Sequence, residues 1–420
     1  MKLPVVEKNP HWTGMRCVLC EREYDTDYRG FVCADCGVDG ILDPHYDLAA
    51  TAREIAAARA RAGEPFPAPW RPDLWRFAPL LPLRPTAPHG AWAVGDTPLH
   101  APGPLREELD LPNLWLKDDT GLPSASLKDR AAAVALADAA RLGIDHVSCA
   151  STGNAAASLA VLGARAGIRS TIYVPAAAPA AKLLQLELHG ARVVRVDGTY
   201  DEAFDLSVRE QREHGWYSRN CAYNPLLVEG KKTAVLETCA ALGWRAPDAV
   251  FVPVGDGCIV SSVAKGLAEL HAVGLIDRLP RVYGVQAAGA APLADAWRRA
   301  GARAASLSPR EIHAAVTPVS PRTVADSIGV GVPRNRIKAW RKVAPTGGGF
   351  LAVTDAEIVA AIRLLAARAG VWAEPSGAAG LAGLRRALND GLVDRRQTVV
   401  VLVTGHGLKD PGAGFTDTPE

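Results

Sequence analysis

The chain has 420 residues, of which 48% are hydrophobic, and a formal net charge of +2 at pH 7. This length is enough for two or three structural units with apolar cores. The near-neutral charge provides no electrostatic footprint for nucleic acid or an anionic membrane, and no stretch approaches a membrane span free of charges. A globular, cytoplasmic protein is therefore expected.

The first predicted element is a small metal-binding ribbon. Four cysteines form the pattern C-x2-C-x12-C-x2-C, namely Cys17, Cys20, Cys33 and Cys36. Two such knuckles supply four thiolates to a tetrahedral ion, and a cytosolic setting indicates zinc or iron, with structural Zn²⁺ favoured. Two disulfides, or a metal site lost in this chain, are the alternatives. The remaining cysteines occur singly and are interpreted as small core residues, namely Cys149, Cys221, Cys239 and Cys258.

A helix and an irregular arm are predicted next. Residues 48–63 (LAATAREIAAARARAG) favour a helix that ends at Gly63. Residues 64–104 are rich in proline and tryptophan, a composition that does not favour regular helix. The aromatic residues argue against an exposed linker, so we expect an extended arm that packs on the next domain.

From about residue 110 the sequence alternates between strands and helices. Strands are predicted at 146–150, 170–175, 191–197, 249–255, 281–286 and 398–405, and helices at 154–167, 180–190 and 200–214. Continuous apolar strands that alternate with helices indicate parallel sheets covered on both faces. The sequence therefore predicts an α/β fold with two parallel-sheet domains and a cleft between them.

Four segments are expected along the chain. Residues 1–45 form the ribbon module, and residues 46–109 form the helix and arm. Residues 110–139 together with 236–420 form a large α/β domain, and residues 140–235 form a smaller one. The polar tail after Leu408 is expected to fray.

Three predicted strands end in similar turns, at 151–154 (STGN), 255–257 (GDG) and 404–407 (TGHG). Ligands of open parallel sheets bind at the carboxyl ends of strands. A glycine turn that leads into a helix presents backbone N–H groups to an anion. Residues 255–259 are therefore a candidate phosphate cradle, although a tight turn without a ligand has the same pattern.

Lys128 occupies an unusual position in PSASLKDRAA (123–132). Ser126 is the predicted N-cap of a helix, and the helix dipole favours anions over an ammonium in the first turn. A lysine near a phosphate cradle can hold an aldehyde cofactor as a Schiff base, so that it is no longer an isolated ammonium. An exposed lysine that tolerates a small cost is the alternative.

Four motifs resemble, in order and spacing, those of pyridoxal-phosphate enzymes of fold type II, above all threonine synthase and its relatives. The motifs are PSASLKDR (123–130), STGNAAAS (151–158), VPVGDG (252–257) and LVTGHGLKD (402–410). Many members of this group also carry an N-terminal CxxC ribbon. The resemblance implies two α/β domains with pyridoxal 5′-phosphate in the cleft, a zinc-ribbon-like module before them, and a homodimer.

The resemblance also assigns roles to these motifs. Lys128 would hold the cofactor covalently and later move protons, Asn154 would contact the ring hydroxyl, and Thr404 would contact the pyridine nitrogen. A hydroxyl partner leaves that nitrogen less protonated than a carboxylate would, which suits elimination and replacement chemistry. The 5′-phosphate would rest on the backbone of Gly255, Asp256, Gly257, Cys258 and Ile259.

Substrate contacts are expected at two further places. Ser151 and Thr152 open a helix, so they could receive a substrate carboxylate; a local cap is the alternative. Threonine synthases usually have an arginine and a glutamine where NPLLVEGKKT (224–233) has Leu227 and Lys231. Leucine cannot make charge-assisted bonds to phosphate, so Lys231 or Lys232 would have to compensate, and Lys231 is the candidate substrate ligand.

The predicted activity is that of a lyase that depends on pyridoxal phosphate and eliminates or replaces an activated hydroxyl group of an amino acid. The alternatives are β-replacement on serine, phosphoserine or an acylated serine, and ammonia-lyase activity on threonine or serine. A binding protein is a third possibility, but acidic residues outnumber arginines in the ribbon, which argues against a nucleic-acid partner. No membrane partner is expected.

Overall fold

The computed structural model describes residues 6–67, 72–87, 92–178 and 180–413. The predicted tail from residue 414 onward, and residues 68–71 and 88–91 of the predicted arm, lie outside the described residues. Two compact units are present. The first takes in the described parts of Met1–Cys17, Glu21–Asp96 and Leu122–Thr233, and the second those of Val18–Cys20, Thr97–Gly121 and Ala234–Glu420.

An antiparallel sheet with the strand order β3-β2-β5-β4 forms the ribbon. Its neighbouring helix α1 begins after Asp47, whose carboxylate accepts the N–H of Ala50, and it ends at Gly63 with a φ of +77°. This confirms the helix predicted at 48–63. The elements are β1 (Val6–Lys8), β2 (Trp12–Cys17), β3 (Glu23–Tyr24), β4 (Val32–Cys33), β5 (Gly37–Tyr46) and α1 (Leu48–Ala62).

The arm contains little regular structure, as its composition predicts. A short 3-10 helix at Leu74–Leu80 precedes β6 (Leu83–Pro85), which pairs with β1. The indole N–H of Trp75 donates to the backbone oxygen of Trp92, and both side chains are buried. The described part of the arm is thus packed through its aromatic residues.

The first unit also contains a parallel sheet with the order β11-β10-β9-β12. The predicted strand at 146–150 and the predicted helix at 200–214 have the observed bounds. The strand is buried at all five residues, and a capping box formed by Thr199 and Glu202 marks the start of the helix. The elements are α3 (Lys128–Arg141), β9 (His146–Ala150), α4 (Asn154–Ala166), β10 (Arg169–Pro175), α5 (Ala180–Leu188), β11 (Arg192–Val196), α6 (Tyr200–His214), β12 (Tyr217–Ser218) and α7 (Leu227–Ala241), which begins in this unit.

The second unit is built on a six-stranded sheet with the order β15-β14-β13-β16-β8-β7. All neighbours are parallel except the edge strand β7. Its elements are β7 (Leu99–His100), α2 (Gly103–Glu108), β8 (Leu114–Asp118), β13 (Ala249–Pro253), α8 (Cys258–Ala272), β14 (Arg281–Ala287), α9 (Pro292–Ala300), α10 (Pro309–Ala315), α11 (Arg336–Val343), β15 (Gly349–Val353), α12 (Asp355–Ala369), α13 (Pro375–Asn389) and β16 (Val399–Val403).

The central strands of this sheet are buried along their whole length, which is typical of a parallel sheet with two covered faces. Helix α13 packs closely on the sheet at Gly383, where a Cβ atom would lie 2.3 Å from a methyl group of Val285. The predicted α/β class with parallel sheets is confirmed. Among the described residues, no helix combines the length and the apolar character that crossing a membrane would require.

Candidate active site

The predicted phosphate cradle lies in the second unit, where β13 leads into α8. Gly257 precedes the helix with a φ of +88°, and no side chain of the described residues caps it. A Cβ atom on Gly257 would lie 2.8 Å from the Cβ of Ala339, and one on Gly255 would lie 3.0 Å from a methyl group of Val330. Gly257 is both strained and crowded for any other residue, and Gly255 is tightly packed, whereas the start of α8 keeps its N–H groups for an anion. This geometry fits a phosphate group.

Asn335, which the sequence analysis did not single out, holds this turn in place. Its side-chain nitrogen donates to the backbone oxygen of Gly257 (3.1 Å) and to the hydroxyl of Ser261 (2.8 Å). Its backbone N–H donates to the oxygen of Asp256 (3.0 Å), and the N–H of Arg334 donates to the Asp256 carboxylate (3.2 Å). The cradle is therefore supported by the loop before α11, 78 residues away in sequence.

Thr404 lies directly after β16 and is buried. Because β16 and β13 are parallel neighbours, their carboxyl ends meet at one edge of the sheet, which brings Thr404 and the cradle to the same edge. The first turn of α13 packs against this edge, since a Cβ atom on Gly377 would lie 2.9 Å from the oxygen of Gly405. His406 accepts the N–H of Leu408 and thus acts as a turn residue.

Lys128 is the first residue of α3 in the first unit, and it is partly buried. The predicted N-cap was wrong by one position: the residue before the helix is Leu127, which has helical φ and ψ values. The chain enters the helix through a tight turn in which the N–H of Asp129 donates to the oxygen of Ser126. The Ser126 hydroxyl still accepts the N–H of Lys128, at 3.3 Å.

The loop before Lys128 is fixed by a buried carboxylate. Asp129 accepts the backbone N–H of Ser124 at 2.6 Å and the Ser124 hydroxyl at 2.5 Å. Ala125 between them has a φ of +60°, a conformation that costs an L-residue about 1–2 kcal/mol. The loop is thus held in a strained conformation, as is common near functional sites.

Arg219 links the starts of α3 and α4, and no local sequence pattern indicated it. Its guanidinium is fully buried and donates to the backbone oxygen of Lys128 (3.3 Å) and to the hydroxyl of Ser158 on α4 (3.1 Å). It also donates to the sulfur of Cys221 (3.1 Å). The structure therefore brings Lys128 and the helix that begins at Asn154 together in the first unit.

The turn at 151–154 leads from β9 into α4. Asn154 is buried in the first position of the helix, and no side chain of the described residues caps the helix start. The Ser151 hydroxyl accepts the N–H of Gly153 at 3.2 Å, which is a local turn before the helix and leaves the first N–H groups of α4 without a side-chain cap among the described residues. Thr152 is partly buried.

The two lysines of α7 differ sharply in their surroundings. Lys232 lies 2.5 Å from a carboxylate oxygen of Glu229, which also accepts the hydroxyl of Tyr46 at 2.8 Å. Its ammonium lies 4.5 Å from the ring centre of Tyr46, a cation–π distance. Lys231 is fully buried, and its ammonium has no hydrogen-bond partner within the part of the chain that the structure describes.

Helix α7 packs directly against α3. A Cβ atom on Gly230 would lie 2.0 Å from the backbone oxygen of Arg130, and the Arg130 guanidinium donates to the hydroxyl of Thr233 at 2.9 Å. The turn of α7 that carries Lys231 therefore contacts the turn of α3 that carries Lys128.

The four ribbon cysteines are brought together as their spacing predicts. Their Sγ atoms all lie within 4.8 Å of one another, and none of the four forms a disulfide. The hydroxyl of Tyr24 donates to the sulfur of Cys33 at 3.1 Å. Four thiols in one cluster are a donor set that suits Zn²⁺. Elsewhere, burial raises the pKa of the Cys149 and Cys239 thiols to about 12, as expected of core residues.

Comparisons with known proteins agree with this arrangement. Residues 92–405 match the family described as pyridoxal-phosphate dependent enzyme. The chain is 36% identical over 406 residues to a threonine synthase of Methanocaldococcus jannaschii, covering 96% of this chain and 95% of that protein. It is 40% identical over 326 residues to a threonine synthase of Mycobacterium leprae, covering 77% and 85%.

Solved structures share the fold. The T.th. threonine deaminase has a TM-score of 0.60 at 25% identity, covering 77% of this chain and 94% of that one. The diaminopropionate ammonia lyase of Escherichia coli has a TM-score of 0.62 at 16% identity, covering 98% and 96%. The second similarity concerns the fold alone.

Proposed function

Because the chain belongs to the family of pyridoxal-phosphate dependent enzymes, we propose that it acts as a threonine synthase-like lyase on a phosphorylated hydroxy amino acid. The proposed substrate is O-phosphohomoserine, which would lose phosphate and take up water to give threonine. Similarity to threonine synthases over nearly the whole chain supports this substrate class. The observation that carries the proposal is the buried ammonium of Lys231.

A buried ammonium without a hydrogen-bond partner is costly, because desolvation of a charge is offset only by an opposite charge or by hydrogen bonds. Lys232 already has Glu229 as its partner, whereas Lys231 has none among the described residues. Leu227, which stands where threonine synthases usually have arginine, contributes only apolar surface. An anionic substrate group would supply the missing partner of Lys231, which supports its role as the phosphate ligand.

The residues present fit the cofactor. Pyridoxal phosphate, when bound, supplies an electron sink for negative charge at the substrate Cα. Lys128 would hold it covalently and take the Cα proton as general base, and the N–H groups of residues 255–259 would bind its phosphate. The crowded glycines of the cradle and the uncapped start of α8 support this assignment.

Three further contacts complete the proposal. The Thr404 hydroxyl would bond the pyridine nitrogen, and Asn154 would bond the ring hydroxyl. Ser151 and Thr152 would receive the substrate carboxylate at the start of α4, where no side chain of the described residues caps the helix.

A substrate panel tests this function. Purified holoprotein is incubated with O-phosphohomoserine, O-phosphoserine, serine and threonine in turn, and phosphate, threonine, keto acid and ammonia are measured. We expect phosphate and threonine from O-phosphohomoserine alone. Turnover of serine or threonine to keto acid and ammonia, without activity on O-phosphohomoserine, would instead identify an ammonia-lyase.

Replacement of Lys231 separates its functional role from a structural one. We expect Lys231→Met to lower kcat/KM for O-phosphohomoserine by about 10- to 100-fold, because a charge-assisted hydrogen bond contributes about 1.5–3 kcal/mol. The same change removes an unpaired buried charge, so Tm should stay constant or rise. Unchanged kcat/KM in Lys231→Met, with Lys231→Gln as the polar control, would contradict the assignment.

We also propose that Cys17, Cys20, Cys33 and Cys36 hold a structural Zn²⁺, which the clustering of their sulfur atoms supports. Four thiolates leave no open position for a reacting group. The hydrogen bond from Tyr24 to Cys33 supports the same assignment, since such outer partners orient metal ligands.

Gly40 provides a test of this metal site. A Cβ atom there would lie 2.5 Å from the Cβ of Cys36 and 2.6 Å from that of Cys33, so Gly40→Ala should push the ligands apart. We expect the wild type to contain roughly one zinc per chain and Gly40→Ala less than about half of that. The control is Gly37→Ala, where φ is +57° but no atom lies within 4 Å. Equal zinc contents in the two variants would argue against the site.

The family resemblance further leads us to propose a homodimer that acts in the cytoplasm on a small amino-acid substrate. Sedimentation equilibrium of the holoprotein would give the oligomeric state directly.

A further inference from the structure

A cavity of about 730 Å³ lies in the first unit, and none of the residues assigned above to pyridoxal phosphate or the amino-acid substrate lines it. Of the proposed zinc ligands, Cys33 is part of its wall. Its walls come from the ribbon loop 26–34, from the C-terminal ends of α3 and α6, and from residues 223–226, which precede α7. This volume is typical of sites for small molecules. The cavity is therefore a separate candidate binding site.

Aromatic rings form much of the wall, namely those of Trp12, Tyr28, Phe31, Trp216, Tyr217 and Tyr223. The Phe31 ring centre lies 5.3 Å from that of Tyr217, edge-on, and 5.7 Å from that of Tyr223. The backbone of Phe31 has a φ of +57°, a strained conformation that persists only where the surroundings enforce it. Rings arranged in this way favour a planar apolar group.

An ion pair at the end of α3 supplies the polar part of the wall. One carboxylate oxygen of Asp138 accepts the Nε–H of Arg141 (2.8 Å) and lies 2.7 Å from Nη2 in an ion pair, and the other oxygen accepts the Tyr217 hydroxyl (2.8 Å). The side chains of Asp138 and Arg141 are 7% and 13% exposed. Within the described ranges of the chain, both oxygens of the Asp138 carboxylate are thus engaged, whereas most of the about five N–H donors of the Arg141 guanidinium stay available.

The charged side chains around the cavity also indicate what kind of ligand it would bind. Arg29 and Arg212 also line the cavity, and Asp138 is its one acidic lining residue among those described. Asp27, which does not line the cavity, lies 3.9 Å from Arg29 and offsets part of this positive charge. Spare donors and excess positive charge favour a ligand that accepts hydrogen bonds and carries negative charge. A carboxylate matches the planar guanidinium of Arg141, because its two oxygens can accept two parallel N–H groups.

We propose that this cavity binds a small carboxylate that carries a planar ring, with the carboxylate on Arg141 and the ring among the aromatic walls. The proposal depends on the first unit alone and does not require O-phosphohomoserine to be the substrate.

Calorimetric titration of the holoprotein tests the proposal, with indole-3-acetate as the probe and its neutral analogue indole-3-acetamide as the comparison. We expect indole-3-acetate to bind with a Kd below about 1 mM, and the amide at least about tenfold more weakly, because it lacks the charge-assisted bonds. Saturation with the amino-acid substrate should leave the Kd unchanged. Absence of binding, equal affinity of acid and amide, or displacement by the substrate would each overturn the proposal.

Variants locate the site. Arg141→Gln should weaken binding at least about tenfold. Because this change leaves Asp138 without its cation, Arg141→Lys serves as the second variant. Lysine keeps the positive charge but lacks the planar guanidinium that can make two parallel hydrogen bonds to a carboxylate, so this variant should also weaken binding. Arg209→Gln is the matched control, since Arg209 lies on α6, is 64% exposed and does not line the cavity. Wild-type affinity in both Arg141 variants would refute the assignment.

Discussion

Lys128→Ala is expected to abolish both turnover and covalent retention of the cofactor. The side chain lies at the start of α3, partly buried, on a loop held by Asp129 and next to the buried guanidinium of Arg219. A nucleophile or general base in such a position contributes about 10²- to 10⁴-fold through proton transfer alone. We therefore expect kcat to fall by about 10³-fold or more, measured as phosphate release from O-phosphohomoserine.

Lys128→Arg is the matched control for charge. A guanidinium keeps the positive charge but cannot serve as the covalent attachment point, so this variant should be as inactive as the alanine variant. Borohydride reduction followed by peptide mapping should find the cofactor on residue 128 of the wild type and on neither variant. If Lys128 were unmodified after borohydride treatment of active wild-type protein, its assignment as the attachment point of the cofactor would be wrong.

Gly257→Ala is expected to reduce cofactor affinity strongly without unfolding the protein. Two costs act together, because the φ of +88° disfavours an L-residue by about 1–2 kcal/mol and the new Cβ would lie 2.8 Å from Ala339. Relief of the contact would move the backbone N–H groups at the start of α8 that are proposed to bind the cofactor phosphate. We expect the Kd for pyridoxal phosphate to rise at least about tenfold, as measured by absorbance titration of the apoprotein.

Gly274→Ala separates strain from crowding. Gly274 follows α8 with a φ of +74°, but no atom lies within 4 Å of the position that its Cβ would take, so this variant bears the backbone cost alone. Cofactor affinity should stay at the wild-type value there, and excess pyridoxal phosphate should restore activity to Gly257→Ala. Equal affinities in the two variants would show that the cradle does not bind the cofactor.

Short sequence patterns predicted most of the strands, helices and motifs that could be identified before the structure was known. The alternation of short apolar runs with helical segments placed strand β9 and helix α6 with their observed bounds, because such patterns are encoded by residues that are close in sequence. The cysteine spacing indicated the ribbon, and the glycines at 255–257 indicated a turn into a helix, since both features are encoded by neighbouring residues. The family motifs are equally local.

Strand ends and the cap of α3 were predicted less exactly. The predicted strand at 398–405 ends at Val403, which leaves Thr404 in the turn, and the helix begins after Leu127 rather than Ser126. Element boundaries depend on hydrogen bonds of the last turn, such as that from Asp129 to Ser126, and composition specifies these poorly.

Only the tertiary structure identified the residues that support the candidate site. Arg219 contacts Lys128 across 91 residues of sequence, Asn335 contacts Gly257 across 78, and Tyr46 contacts Glu229 across 183. An isolated arginine, asparagine or tyrosine has no distinctive spacing, so its partner is determined by which helices and loops pack together. The sequence by itself determined the elements, the ribbon and the motifs; packing decided which buried polar groups are paired and that Lys231, among the described residues, is not.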